Sequence, residues 1–237
     1  MNQDNLKYQK FATETLGVTF VNIELLLQAF THRSYLNEHK KTVKQHNERL
    51  EFLGDAVLEL VTTEFLYNNY TEQEGILTNW RSSLVRTESI SAASARLDFE
   101  SMLRLSKGER RGTDRARAQI LANTYEAVIG AIYLDQGYEA SRVFIQKSLL
   151  VTFEEILATG SWMDSKSHLQ ELVQSLEGQT PSYRVMSEEG PDHDKTFNIG
   201  VFVNGKLLGQ GSGASKQIGQ QKAADMALKK LKDSQSD

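Results

Sequence analysis

The stretch His46-Asn-Glu-Arg-Leu-Glu-Phe-Leu-Gly-Asp55 holds three carboxylates, a glycine and an aromatic within ten residues. Continued to Val61 it has the period of an amphipathic helix, with Leu50, Leu53, Val57, Leu60 and Val61 expected on one buried stripe. Steps of three and four residues bring Glu48, Glu51, Asp55 and Glu59 together on the other side, where like charges repel and only Arg49 lies nearby to offset them. Gly54 sits mid-helix at a cost of about 1 kcal/mol relative to Ala, so a close backbone approach is expected there. Phe52 points away from the apolar stripe. With no cysteine in the chain and no HExxH spacing among five histidines, thiolate catalysis and a zinc hydrolase are excluded. The stretch is therefore either a carboxylate site or a solvated acidic face.

The elements that must position these acids are helical through the first two thirds of the chain. Residues 7–36 are expected to be helices, 37–46 a polar loop, 68–75 a turn-rich break, and 77–97 one helix carrying Trp80, Leu84, Val85 and Ile90. A second strongly apolar helix is expected from Gln119 to Leu134, with Ile120, Leu121, Val128, Ile129 and Ile132 as core. Asn123 and Glu126 share one face of it, and polar groups in so apolar a helix need a partner. Helix is expected again from Glu139 to Leu157, and no proline occurs before Pro181. The basic segment Gly108–Arg117 reads as a connector or a phosphate contact.

The period then changes. A helix over Lys166–Leu176, strands from Pro181, Phe197 and Lys206, and a helix over Ser215–Leu231 give the order α-β-β-β-α, with Asn204-Gly205 as a hairpin signal. This is a second domain, one sheet backed by two helices.

At 237 residues, 39% hydrophobic and 24% charged, the composition is that of a globular protein. No apolar run approaches the roughly 18 residues of a membrane span, and the N-terminus lacks a signal-peptide pattern. A cytoplasmic location is expected. The net charge of −4 means that a polyanion partner needs local segregation of charge.

Thr31-His-Arg-Ser34, His46–Asp55, Glu74-Gly75 and Ile120-Leu-Ala-Asn-Thr-Tyr-Glu-Ala127 together resemble the bacterial ribonuclease III endonuclease domain. Lys166–Gln174, Gly190–Asp194 and Gly211–Lys216 resemble the double-stranded-RNA-binding domain that follows it in that family. The resemblance implies an all-α endonuclease domain over 9–137, its closing helix over 138–157, a linker over 158–163, and the small α+β RNA-binding domain over 164–233.

It also implies a Mg²⁺-dependent (Mn²⁺ able to substitute), homodimeric endonuclease that cuts both strands of duplex RNA. The products carry 5′-phosphates with short 3′ overhangs, and the role is maturation of ribosomal and other structured transcripts. No membrane and no other small-molecule cofactor is expected. Mg²⁺ would activate water and neutralise crowded phosphate oxygens, and its octahedral preference calls for carboxylates and waters. The resemblance puts Glu51, Asn123 and Glu126 among the metal ligands, with Asp55 and Glu126 catalytic; Asp55 would orient one of the ion's waters or carry a second role. Asn123 departs from the family's Asp, losing a unit of charge, so an alternative is a cleavage-impaired protein acting by duplex binding. Phe52 is implied to plug a socket on the partner subunit, and Glu48 and Glu74 to be supporting acids.

In the second domain the resemblance implies that Gln170 and Gln174 meet minor-groove hydroxyls, His193 the adjoining minor groove, and Lys216 a phosphate. Gln217 stands where the family has a second basic residue, and Gln220 where it has an acid. Lys229, Lys230 and Lys232 are expected to be a solvated helix face.

Overall fold

The computed structural model describes residues 3–160, 162–191 and 195–233. It divides into two units, Met1–Trp162 and Met163–Asp237, each with its own hydrophobic core.

In the first unit the helices are α1 (Gln3–Phe11), α2 (Ile23–Ala29), α3 (Arg33–Glu38), α4 (Glu48–Asn69), α5 (Glu74–Val85), α6 (Thr87–Arg96), α7 (Asp114–Ser148) and α8 (Phe153–Thr159). The core is built around α4 and α7. Gly54 lies so close to α7 that a Cβ on it would stand 1.7 Å from the Glu126 carbonyl oxygen, and one on Gly130 would stand 2.2 Å from that of Leu50. The two helices therefore meet backbone to backbone and run antiparallel. Ile120, Leu121, Val128, Ile129 and Ile132 are all buried, as their spacing requires.

That glycine contact also corrects the apolar stripe of α4. Gly54 sits at its centre, with Leu50, Val57, Leu58 and Val61 around it. Leu53 lies at the border, half-buried, and Leu60 turns outward and is 57% exposed. Four further expectations change. Helix α4 continues to Asn69, so the break before α5 is only four residues, and Glu74 and Gly75 belong to the first turn of α5. The helix expected over 77–97 is two, separated at Arg86, whose backbone is extended; Ser89 Oγ donates to the Ser83 carbonyl at 2.7 Å across the junction. Helix α7 is longer than expected and is interrupted at Gly137, whose φ of +80° breaks the helical path. Helix α8 reaches Thr159, and Trp162 stacks edge-on against Trp80.

The second unit is α9 (Ser165–Glu177), β1 (Ser182–Glu189), β2 (Thr196–Val203), β3 (Lys206–Gly213) and α10 (Lys216–Asp233). The strands form an antiparallel meander in the order β1-β2-β3. Asn204 and Gly205 both take positive φ (50° and 75°), the backbone of a tight hairpin turn whose twist matches the strands. Leu169 and Val173 of α9, Ile199, Val201 and Val203 of β2, and Ala223, Ala224, Ala227 and Leu228 of α10 make the core. Gly209, Gly211 and Gly213 of β3 let α10 lie directly on the strand; a Cβ on Gly211 would be 2.4 Å from Ala223 N.

Candidate active site

The contact at Gly54 is also what assembles the acids. Glu51 and Asp55 flank Gly54 on α4, and Gly54 backs onto Glu126 of α7, so side chains 75 residues apart in the chain share one pocket. Asn123, one turn before Glu126, lies beside the Glu51 side chain across the helix pair and favours its charged form. Glu51 and Glu126 are half-buried, and Asp55 is exposed at the rim. Burial, then the charges of Asp55 and Glu51, push the Glu126 carboxyl up to about 8. Glu51 is raised by burial and by Glu48, against the lowering effect of Asn123. A carboxylate crowded in this way holds either a proton or a cation.

The other acids are placed differently. Glu48 pairs with Arg33 at 3.4 Å, and Glu59 with Arg81 of α5 at 3.1 Å. The counter-charges therefore come from other helices and not from Arg49, and Glu59 is withdrawn from the acidic group. Glu48 also caps its neighbourhood with His46, whose Nδ1 accepts from Glu48 N at 3.5 Å. Glu74 opens α5 at the end of α4 remote from Glu51, so within one chain it does not join the pocket. Phe52 is 82% exposed.

Two residues of the site were not singled out from sequence. Gln119 Nε2 donates to Asn123 Oδ1 at 2.7 Å, and Gly130 completes the helix crossing. Both lie four residues from a candidate on α7, Gln119 before Asn123 and Gly130 after Glu126, which is the signal that could have marked them.

The donor set is all oxygen, which fits a hard divalent cation completed by waters. Among the described residues no three His, Cys, Asp or Glu side chains gather tightly enough to hold an ion between them.

In the second unit, Gln170 and Gln174 are exposed one turn apart on α9. Lys216, exposed at the start of α10, lies 3.7 Å from Glu188 and over the Phe197 ring. Asp164 caps α9, accepting from Lys166 N and Ser167 N, and also accepts from Gln221 of α10 at 3.0 Å. Gln220, where the resemblance implied an acid, accepts from Lys166 Nζ at 2.8 Å and so ties the same two helices. His193 lies outside the described residues.

Residues 22–153 match the family model described as Ribonuclease-III-like, and residues 165–231 match the Double-stranded RNA binding motif. The Ribonuclease 3 of Enterococcus faecalis is 44% identical over 222 residues, 92% of this chain and 95% of its own length. That of Anoxybacillus flavithermus is 44% identical over 96% of this chain and 95% of its own.

The chain belongs to the ribonuclease III family. Its fold agrees: a nuclease domain of ribonuclease III from Campylobacter jejuni, described for structural flexibility in a region involved in dimer formation, aligns with a TM-score of 0.52 and 34% identity. It covers 59% of this chain and 96% of that one. As a ribonuclease III the protein is an endoribonuclease, a helical nuclease domain followed by a double-stranded-RNA-binding domain. No helix among the described residues is long and apolar enough to cross a membrane.

Proposed function

We propose that this ribonuclease III hydrolyses phosphodiesters of double-stranded RNA with Mg²⁺, or Mn²⁺ in its place, at a pocket formed by Glu51, Asp55, Asn123 and Glu126. The observation that carries this is the convergence of Glu51 and Asp55 on Glu126 across the Gly54 contact, with the Glu126 carboxyl raised to about 8. Glu51 and Glu126 would hold the cation, with Asn123 beside them. When bound, the cation would supply a neutralising charge for the phosphate and lower the pKa of water. Glu126, with its high proton affinity, is suited to hold and pass a proton near neutral pH. Asp55 at the rim orients water toward the phosphorus.

The second domain grips the duplex through Gln170, Gln174, His193 and Lys216, because A-form RNA offers its minor-groove hydroxyls and phosphates over about 16 base pairs rather than a readable major groove. The protein acts as a homodimer through Phe52, Leu60 and Tyr67, which are 82%, 57% and 77% exposed along one face of α4. Dimer formation in the Campylobacter jejuni nuclease domain supports this. Two sites in a symmetric pair would cut both strands and leave 5′-phosphates with short 3′ overhangs. Structured transcripts, ribosomal precursors among them, are the substrates, in the cytoplasm.

Glu126→Gln is expected to lower Mg²⁺-dependent cleavage of a labelled duplex by at least about 100-fold, in the range for loss of a general acid or base, while a gel shift shows duplex binding retained. Wild-type cleavage rates in this variant would refute the site. The uncharged carboxamide at position 123, beside Glu51, favours one second reading, a protein whose cleavage is weakened at position 123 and which acts partly by occupancy. Asn123→Asp is expected to increase Mg²⁺-dependent cleavage; unchanged or lower activity counts against the assignment of this position.

A further inference from the structure

Withdrawing an ammonium from water is unfavourable unless hydrogen bonds or an opposite charge offset it. Lys166, half-buried in the first turn of α9, has no acid within ion-pair distance of its Nζ among the described residues. Its Nζ donates to the neutral side-chain oxygen of Gln220 on α10 at 2.8 Å and stands 5.3 Å from the centre of the Tyr183 ring, over its face. Asp164, two residues away, is turned to other donors and accepts from Lys166 N, Ser167 N and Gln221 Nε2. Both groups that hold the ammonium are uncharged, so its positive charge is not cancelled inside the domain.

The place of Lys166 gives that charge a use. Positions 166, 170 and 174 follow at four-residue steps, so Lys166 extends the row of Gln170 and Gln174 by one turn toward the start of α9. Leu169 and Val173 are buried while Gln170 and Gln174 are exposed, which puts half-buried Lys166 at the border between the core and that row. On α10, Gln220 lies one turn after Lys216 and shares a face with exposed Gln217, where the resemblance implied a second basic residue. The ammonium therefore stands between a row proposed to meet minor-groove hydroxyls and a helix start proposed to meet phosphate.

Resting on that reading of the duplex contact, we infer that Lys166 contacts a backbone phosphate at the edge of the minor groove and supplies from α9 the positive charge that α10 lacks at Gln217. Gln220 makes this possible. An acid at that position would pair with Lys166 and cancel its charge. The carboxamide instead holds the ammonium in place through its oxygen and leaves the charge for RNA.

Neutralising a phosphate releases condensed counter-ions, so each such contact steepens the salt dependence of binding, and a purely structural tie does not. The affinity of the full chain for a labelled duplex is measured against KCl concentration in EDTA, so that no metal-dependent cleavage intervenes. Lys166→Met keeps an unbranched apolar stem against Tyr183, so the fold should survive. It is expected to weaken binding about three- to tenfold and to lower the slope of log K against log salt by about one per domain bound. Lys166→Arg keeps the charge and should keep the slope. Gln220→Met breaks the same α9–α10 bond without changing charge and should keep the slope too. Lys229→Met removes an equal charge from the exposed end of α10 and should move the slope far less. An unchanged slope in Lys166→Met would overturn the inference, as would an equal loss of slope in Lys166→Arg, Gln220→Met or Lys229→Met. Failure of the underlying duplex reading looks different: Gln170→Ala and Lys216→Met would then bind as the wild type does.

Discussion

Glu126 shows what one residue's surroundings do to its chemistry. Its folded-state carboxyl titrates near 8, raised by burial first and then by Asp55 and Glu51, against an ordinary value of 4.5. Between those two values the folded protein binds a proton that the unfolded chain has released, so stability falls as pH rises through this window. Glu51 is shifted in the same direction. Thermal unfolding in chelator should therefore show Tm declining from about pH 5 to about pH 8 beyond the trend of a Glu126→Gln control. On the proposed assignment Mg²⁺ would take the place of the proton, so the Tm increment it gives should grow across the same range; a pH-independent increment would separate the ion from Glu126. The candidate acids were legible from helical spacing together with the family resemblance. The fate of Glu48 and Glu59 was not, because their partners Arg33 and Arg81 come from other helices, and local spacing cannot reveal tertiary ion pairs.

At the scale of elements, the α4–α7 crossing sets how far apart the acids stand. A methyl group at Gly54 would overlap the Glu126 carbonyl oxygen, a backbone atom that cannot rotate away. Gly54→Ala gains about 1 kcal/mol of helix propensity, yet overpacking against rigid backbone costs about 1–3 kcal/mol or more, so the clash wins. The variant should melt lower and lose cleavage more than duplex binding, since the helices must part where Glu51 meets Glu126. Gly75→Ala is the control. Its Cβ meets nothing within 4 Å in the first turn of α5, and its Tm should hold or rise. A Gly54→Ala protein as stable and active as wild type would show that the close crossing does not position the site. A glycine inside an apolar helix already signalled a close approach at Gly54. Its counterpart Gly130 did not stand out in a helix rich in small residues, and Leu60 was assigned inward because period alone does not say where the buried arc is centred. In the second unit the order α-β-β-β-α was legible from the change of period and the Asn204-Gly205 turn, since both are local signals.

At the scale of the whole molecule, the outward face of α4 is what one chain leaves uncovered. Phe52, Leu60 and Tyr67 recur at helical spacing on the same side, away from the core. Their apolar area is exposed in the single chain, so truncating Phe52 removes little from the fold of one protomer and much from a self-complementary contact, where aromatic anchors dominate affinity. Phe52→Ala should accordingly sediment as a monomer at concentrations where the wild type is a dimer. The wild-type Tm should rise with protein concentration, because association stabilises the folded state by mass action, and the variant's Tm should not. Cleavage should change with assembly. A lone subunit would present one site to the duplex, so nicked RNA should accumulate ahead of double-strand breaks, whereas the proposed pair should cut both strands in one encounter. If Phe52→Ala remains dimeric and cuts both strands together, the two subunits meet elsewhere and the exposed face of α4 serves another contact.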